Sequence, residues 1–308
     1  MTPSFGRCQA LIDQARDHGP VTTAVVYPLS REGLLGAVEA ARLGLIQPLL
    51  VGPGEAIRRT AAELAMDLAG YRLIEEADPV ACAARAAALA RTGEAQIIMK
   101  GSLHTDELMG VIVSRDGGLR THRRISHVFV MDVPAYPKRL LISDAAVNIA
   151  PALATKRDIV QNAIDVARVI GVETPRVALL SAVETVNPDI PSTVDAAALC
   201  KMADRGQITG AILDGPLAFD NAISAEAART KGIASPVSGQ VDVLVVPNLE
   251  AGNMLYKQLV YLCGALAAGV VVGARVPVVL TSRADTPESR IVSTAVACLL
   301  AQARKAST

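Results

Sequence analysis

The sequence predicts an α/β protein with a mainly parallel sheet, and three features carry that prediction. Short Val/Ile/Leu runs alternate with longer Ala-rich stretches of helical spacing, as expected when strands are covered on both faces by crossover helices. Half of the chain is apolar (51%) but only 3% is aromatic, so the core must be built from small aliphatic side chains. No tandem repeat, low-complexity tract or long linker breaks the rhythm, and 308 residues allow one large or two medium domains.

Taken in order, the expected strands are TTAVVYP (22–28), QPLLVG (47–52), QIIMKG (96–101), HVFVMDVP (127–134), LLISDA (140–145), RVALLS (176–181), GAILDG (210–215), VDVLVVP (241–247) and VPVVLTS (276–282). Between them, EGLLGAVEAARLGL, DPVACAARAAALARTG and KRDIVQNAIDVARVIG read as helices. The uncharged stretch Leu259–Ala274 approaches the roughly 20 residues of a membrane span. Its Gly and Ala content and the Arg275-Val276-Pro277 stop favour a buried helix followed by a strand. Thr286-Pro287 opens a last helix, with Thr as cap and Pro at the first helical position, and Ile291, Ala295, Cys298 and Leu299 mark its buried face. Two prolines between Pro134 and Lys138 suggest a domain boundary. With the final strand and helix returning to the first half, the expected domains are 1–137 plus 276–308, and 138–275.

Composition restricts the function. Thirty Lys and Arg balance thirty Asp and Glu, so no long-range field draws the chain to nucleic acid or to an anionic membrane. A phosphate-bearing partner must be recognised locally, which favours small molecules. The N-terminus MTPSFGRCQALIDQARDHG has neither a basic n-region nor an apolar h-region, so a cytoplasmic protein is expected. The five cysteines are widely spaced and never form CxxC, and His104, His122 and His127 lack HExxH spacing, so neither disulfides nor a metal site is expected. GxxxxGK[ST], GxSxG and a strand-to-helix GxGxxG are all missing, which removes the main support for P-loop, esterase and dinucleotide chemistry.

In parallel sheets ligands bind beyond the carboxyl ends of the strands. Those ends carry Ser102, His104 and Thr105; Asp144 and Asn148; Ser181 and Glu184; Asp214; Asn248, Glu250, Gly252 and Asn253; and Thr281-Ser282-Arg283. Ser, Thr, Asp and Asn are also the ordinary helix caps, so most of these residues have a structural reading and only their convergence is suggestive. In PVVLTSRADTPESR a strand delivers Ser282-Arg283 to a helix N-terminus, where free N–H groups and a guanidinium fork suit phosphate or carboxylate. Pairing of Arg283 with Asp285 or Asp242 is the competing structural reading. GLRTHRRISH (118–127) groups Arg120, Arg123 and Arg124 in one span, either a solvated loop or a seat for a nucleotide phosphate. In VDVLVVPNLEAGNMLYKQL, Gly252-Asn253 would let backbone approach a ligand, Asn253 would cap the next helix, and Lys257 lies one turn on.

Together the blocks MKGSLHTDELMG, LLISDAAVNIAP, VALLSAVETVNPDIPSTVDA, ILDGPLAFDNAIS, DVLVVPNLEAGNMLYKQL and AAGVVVGARVPVVLTSRAD resemble the phosphate acetyltransferase and phosphate butyryltransferase family, over about Ile97 to Asp285. The resemblance implies two α/β domains flanking a cleft, as in the isocitrate and isopropylmalate dehydrogenases, and an assembly that is usually a dimer or larger, here expected as a homodimer. It implies exchange of CoA and phosphate on a short acyl group, with acyl-CoA, phosphate and acyl phosphate as small-molecule substrates and CoA as substrate rather than bound cofactor. Ser282 and Arg283 match the family's Ser-Arg pair, an oxyanion donor and an anion clamp. Asp285 is the nearest candidate for the base, because Ala284 replaces the Gly of the acetyltransferase branch and Glu288-Ser289-Arg290 stands where its downstream Asp would lie. The SRAD form is similar to the butyryltransferase branch. Ser102, His104, Thr105, Arg124, Asp214, Asn253 and Lys257 are the expected substrate-binding residues. The rival readings are a metal- and NAD-dependent decarboxylating dehydrogenase, tempted only by Asp214 and Asp220, and a non-catalytic acyl-CoA or acyl-phosphate binder.

Overall fold

A computed structural model of the chain describes residues 5–280 and 285–306. The chain divides into two compact units, Met1–Ile125 with Ala268–Thr308, and Ser126–Ala267. The stretch 134–138 with its two prolines lies inside the second unit as the connection between two paired strands.

The first unit contains α1 (Gln9–Asp17), β1 (Val21–Val26), α2 (Arg31–Arg42), β2 (Ile46–Gly52), α3 (Gly54–Glu63), β3 (Arg72–Glu75), α4 (Pro79–Thr92), β4 (Ile97–Lys100) and α5 (Thr105–Val113). The second contains β5 (Ser126–Asp132), β6 (Leu140–Ser143), α6 (Leu153–Val169), β7 (Arg176–Leu180), α7 (Pro191–Asp204), β8 (Ile212–Leu217), α8 (Phe219–Ile223), α9 (Ala225–Thr230), β9 (Val243–Val245) and α10 (Leu249–Cys263). The chain then completes the first unit with β10 (Leu266–Val272), β11 (Val278–Val279) and α11 (Pro287–Ala306).

In the first unit the strands run β3-β2-β1-β4-β11-β10, parallel except for β10 on β11. The apolar runs are continuous because helices cover both faces: Val25, Val26, Leu50, Val51, Ile97 and Ile98 are all fully buried. Behind them α11 buries Ile291, Val292, Val296, Cys298 and Leu299, and it docks on α1, where Gln302 Nε2 donates to Ala15 O and Gly19 O. Thr286 caps α11 as its sequence predicts, accepting from Ser289 N–H at 3.2 Å ahead of Pro287. In the second unit the order is β5-β6-β9-β7-β8, parallel except for β5 on β6, around a core of Met131, Leu140, Ile142, Leu180, Leu217, Leu244 and Leu259.

Three local expectations need correction. The short β3, with only Leu73 and Ile74 apolar, has too few apolar residues to stand out, and it is an edge strand held by β2. The strand expected at 210–215 runs on to Leu217, so Asp214 lies within β8 rather than at its end. The uncharged stretch does become helix then strand, broken at Gly264 with φ +65°, but its helix is not buried. Along α10 only Gly252 and Leu259 are buried, while Met254, Tyr261 and Leu262 are 66%, 70% and 78% exposed.

Candidate active site

At the carboxyl edge of the first unit, β1 and β4 end side by side, Val26 opposite Lys100. Their loops are laced together: Gly101 N–H donates to Val26 O and Ser102 N–H to Tyr27 O, both at 2.8 Å. Only glycine fits at 101, because a Cβ there would lie 2.5 Å from Val26 O and 2.6 Å from Tyr27 O. Ser102 Oγ accepts from Ser30 N–H at 2.6 Å, and Ser30 in turn caps α2 by accepting from Gly33 N–H. Tyr27 takes φ +54°, an uncommon conformation outside glycine that turns the chain into this loop. Lys100 Nζ donates to the carbonyls of Gly101 and Leu103, which holds the loop against β4. His104 is the N-cap of α5, its N–H donating to Glu107 at 2.8 Å, and Thr105 opens the helix; both side chains are exposed. Two helix N-termini, of α2 and α5, therefore meet at one strand edge, and the positive ends of their dipoles favour an anion there.

Strand β11 lies parallel beside β4, Val278 opposite Ile98 and Val279 opposite Met99, so Leu280 leaves the sheet at the same edge as Ser102. Ser282 and Arg283 lie outside the described residues. Asp285 is half-buried and immediately precedes the Thr286 cap. Arg124 is not brought to this edge. It abuts the β10–β11 turn, where a Cβ on Gly273 would lie 2.4 Å from Arg124 O, and that turn is at the amino end of β11.

In the second unit β6 and β9 end together, Ser143 opposite Val245. Asn253 does not cap α10. Asn248 does, accepting from Ala251 N–H at 2.9 Å, while Asn253 sits a turn inside and donates to Ala145 O at 3.3 Å. Gly252 admits protein rather than ligand, since a Cβ there would meet Val246 Cγ2 at 2.7 Å and Ala145 Cα at 3.0 Å. Lys257 is exposed one turn beyond Asn253. Asp214 Oδ1 accepts from Gly215 N–H at 2.9 Å, and this half-buried carboxylate helps to push the neighbouring Cys200 thiol up to about 12, after the larger effect of burial.

The residue that strand-end reasoning undervalued is Asp144. It is 3% exposed, and its carboxylate accepts from the N–H groups of Ala146, Val147 and Asn148 and from Asn148 Nδ2 at 2.6 Å. That cradle folds the turn on which Asn253 and Gly252 rest. Asp followed four residues later by Asn was the available signal, since short Asx side chains bond the backbone just ahead of them. Beside it His127 is buried, its Nδ1 without a partner, and burial lowers its pKa to about 4 against the opposing pull of Asp144. On the next loop Glu184 Oε1 receives Lys231 Nζ at 2.7 Å and the Asn221 amide, and Lys231 also reaches Asp220 at 3.1 Å. The Lys231 and Asn221 hydrogen bonds hold Glu184 below the usual carboxylate range.

Burial raises the thiols of Cys82, Cys200 and Cys298 to about 11, 12 and 12, so none of these three is a thiolate nucleophile at neutral pH. The class so defined is a parallel α/β protein that gathers hydroxyls, amides and helix N-termini at its strand ends, suited to anionic small molecules. The match to the model of the phosphate acetyl/butaryl transferases over residues 80–298 places the chain in that family. It is 59% identical over 297 residues to a phosphate acetyltransferase of Rhizobium meliloti, covering 96% of this chain and 94% of that protein. It is 42% identical over 271 residues to a phosphate butyryltransferase of Clostridium acetobutylicum, with 88% and 90% covered. A crystal structure of a branched-chain phosphotransacylase from Enterococcus faecalis superposes with a TM-score of 0.80 at 34% identity, covering 92% of this chain and 98% of the other. The chain is an acyltransferase.

Proposed function

We propose that the chain exchanges CoA and phosphate on a short acyl group, acetyl in preference, by direct transfer in a ternary complex. The observation that carries the site is the pairing of β4 with β11, which sends the Ser102 loop and the chain leading to Ser282-Arg283 from one strand edge. Arg283 holds the phosphoryl oxygens in a bidentate grip. Ser282 donates to the acyl carbonyl oxygen as it gains charge. The CoA sulfur attacks the carbonyl carbon, the carbon–oxygen bond to phosphate breaks, phosphate leaves, and Asp285 takes the thiol proton. A thiol of pKa about 8.5 needs only modest help at neutral pH. His104 and Thr105, at the N-terminus of α5, are further ligands at this edge, and Asn253 and Lys257 are the contribution of the second unit. That the two units flank the substrate cleft, that the protein is a cytoplasmic homodimer, and that it needs no metal belong to the same proposal.

The preference for acetyl follows the greater identity to the acetyltransferase, although SRAD is similar to the butyryl branch. Thioester absorbance with acetyl-, propionyl- and butyryl-CoA plus phosphate tests the proposal. Turnover should be fastest with acetyl-CoA and persist after chelation. Turnover dependent on added Mg²⁺ and NAD would overturn the acyl-transfer reading, and a butyryl optimum would overturn the preference.

A further inference from the structure

The arginine-rich span 118–124 has no part in the chemistry proposed above, and it lies at the opposite end of β4 and β11 from Ser102. Here two distant stretches cross. Arg275 N–H donates to Leu119 O at 2.8 Å, Arg120 bridges to Ala274, and Thr121 Oγ1 donates to Gly273 O at 2.6 Å. The last turn of α11 joins them, with Arg304 donating to the carbonyls of Ala274 and Arg275. The crossing thus spends its own carbonyl oxygens internally and fixes the Arg304 guanidinium. Arg120, Arg124 and Arg275 are exposed and Arg123 is half-buried. In a chain whose acids and bases balance overall, no Asp or Glu occurs in 117–131, 264–280 or 289–306. Arginine outnumbers lysine in these three stretches, and its planar fork matches phosphate oxygens better than an ammonium does.

A second feature adjoins the crossing. Between α4 and α5 lies a cavity of about 200 Å³ walled by Ala84, Ala87, Ala88, Val111 and Gly117, with Arg91 and Asp116 at its side. Drug-sized ligands need about 300–1,000 Å³, so this space suits one flat ring system rather than a whole cofactor. Arg91 ties the two features together, because a Cβ on Gly118 would lie 2.9 Å from Arg91 Cδ. From Gly117 to Arg120 the chain spans at most about 10 Å, within reach of a base joined through ribose to two phosphates. Asp116 can accept from an exocyclic amine.

We propose that this groove and crossing form a site for an adenosine diphosphate group, with the base between α4 and α5 and the phosphates on the arginines. Two sources present that chemistry, a free nucleotide acting as effector and the nucleotide half of CoA. The second rests on the acyltransferase reading. The test is calorimetric titration of the intact protein with ADP and with pyrophosphate, without turnover, so that absent acyl transfer would sink the function and leave this site standing. Both Arg120→Ser/Arg275→Ser and Ala88→Phe should weaken ADP at least tenfold with the melting temperature unchanged, while pyrophosphate should respond to the arginine variant alone. Ala84→Phe, at the exposed rim, substitutes if Ala88→Phe misfolds. In acyl transfer, a raised KM for CoA in the arginine variant identifies CoA as the source, and an unchanged KM identifies a free nucleotide. No saturable ADP binding at millimolar concentration, or equal binding by wild type and both variants, overturns the proposal.

Discussion

Arginine and lysine at position 283 would carry the same charge and present it differently. If the side chain holds a phosphoryl group through two parallel hydrogen bonds, Arg283→Lys remains impaired, and Arg283→Ala loses about 3 kcal/mol of transition-state stabilisation, roughly a hundredfold in rate. The melting temperature should hardly move in either variant, whereas an Arg283–Asp285 loop support predicts a lowered melting temperature with turnover intact. His127 makes a separate, pH-dependent prediction. Burial keeps its imidazole neutral to about pH 4, while the unfolded chain protonates it near 6.5. Between those values the unfolded state binds more protons, so stability is present above 6.5 and is lost as the pH falls toward 4, by about 3 kcal/mol in all. Denaturant titrations at pH 6.5 and 4.5 should show most of this loss in wild type and a smaller one in His127→Phe; equal losses would assign the acid sensitivity elsewhere.

Among elements, the predictable ones were those whose order follows from local pattern. Alternating apolar runs and helical stretches gave the α/β class, and Thr286-Pro287 marked a helix start that the capping hydrogen bond bears out. Less legible was anything settled by neighbours. Nothing local says that Gly252 answers to Ala145, or that Asn248 rather than Asn253 caps α10, because both follow from how closely the helix lies on the Asp144 turn. Strand-end reasoning could gather candidate ligands but could not place Arg124 at the far end of β11, since that required knowing that β10 returns antiparallel. The Ser282-Arg283 pair was legible as an anion seat from its strand-to-helix position, took its catalytic roles from family resemblance, and lies outside the described residues. The seating of α10 can be tested directly. Alanine at 252 would gain about 1 kcal/mol of helix propensity, but its methyl would press on backbone and on Val246, and overpacking costs about 1–3 kcal/mol. The clash should win: Gly252→Ala should lower the melting temperature and raise KM by displacing Asn253. A stabilised variant with normal kinetics would show that the turn yields freely.

On the scale of the whole molecule, the feature that a single chain leaves unexplained is the outer stripe of α10. Met254, Tyr261 and Leu262 recur at i, i+7 and i+8, the spacing of one helical face, and are 66%, 70% and 78% exposed. Buried Leu259 and Gly252 face the core, so α10 carries a second apolar stripe that none of the described residues covers. Contiguous exposed apolar side chains of this size mark interaction surfaces more often than free solvent-facing helix. A second copy is the occupant we propose, because it brings the same stripe to a twofold axis, where each stripe covers the other. Three side chains do not supply the about 800 Å² that each partner buries in a stable interface, so neighbouring elements of the second unit must take part, and one charge at the centre should be enough to break it. Leu262→Glu should convert a dimeric mass to a monomeric one by light scattering at micromolar concentration. Its melting temperature should lose the concentration dependence that a dimer imposes. Leu262→Met, which keeps the apolar contact, should remain dimeric. A wild-type protein that is monomeric and fully active at that concentration removes the homodimer from the proposed function and leaves the stripe of α10 free for a different partner.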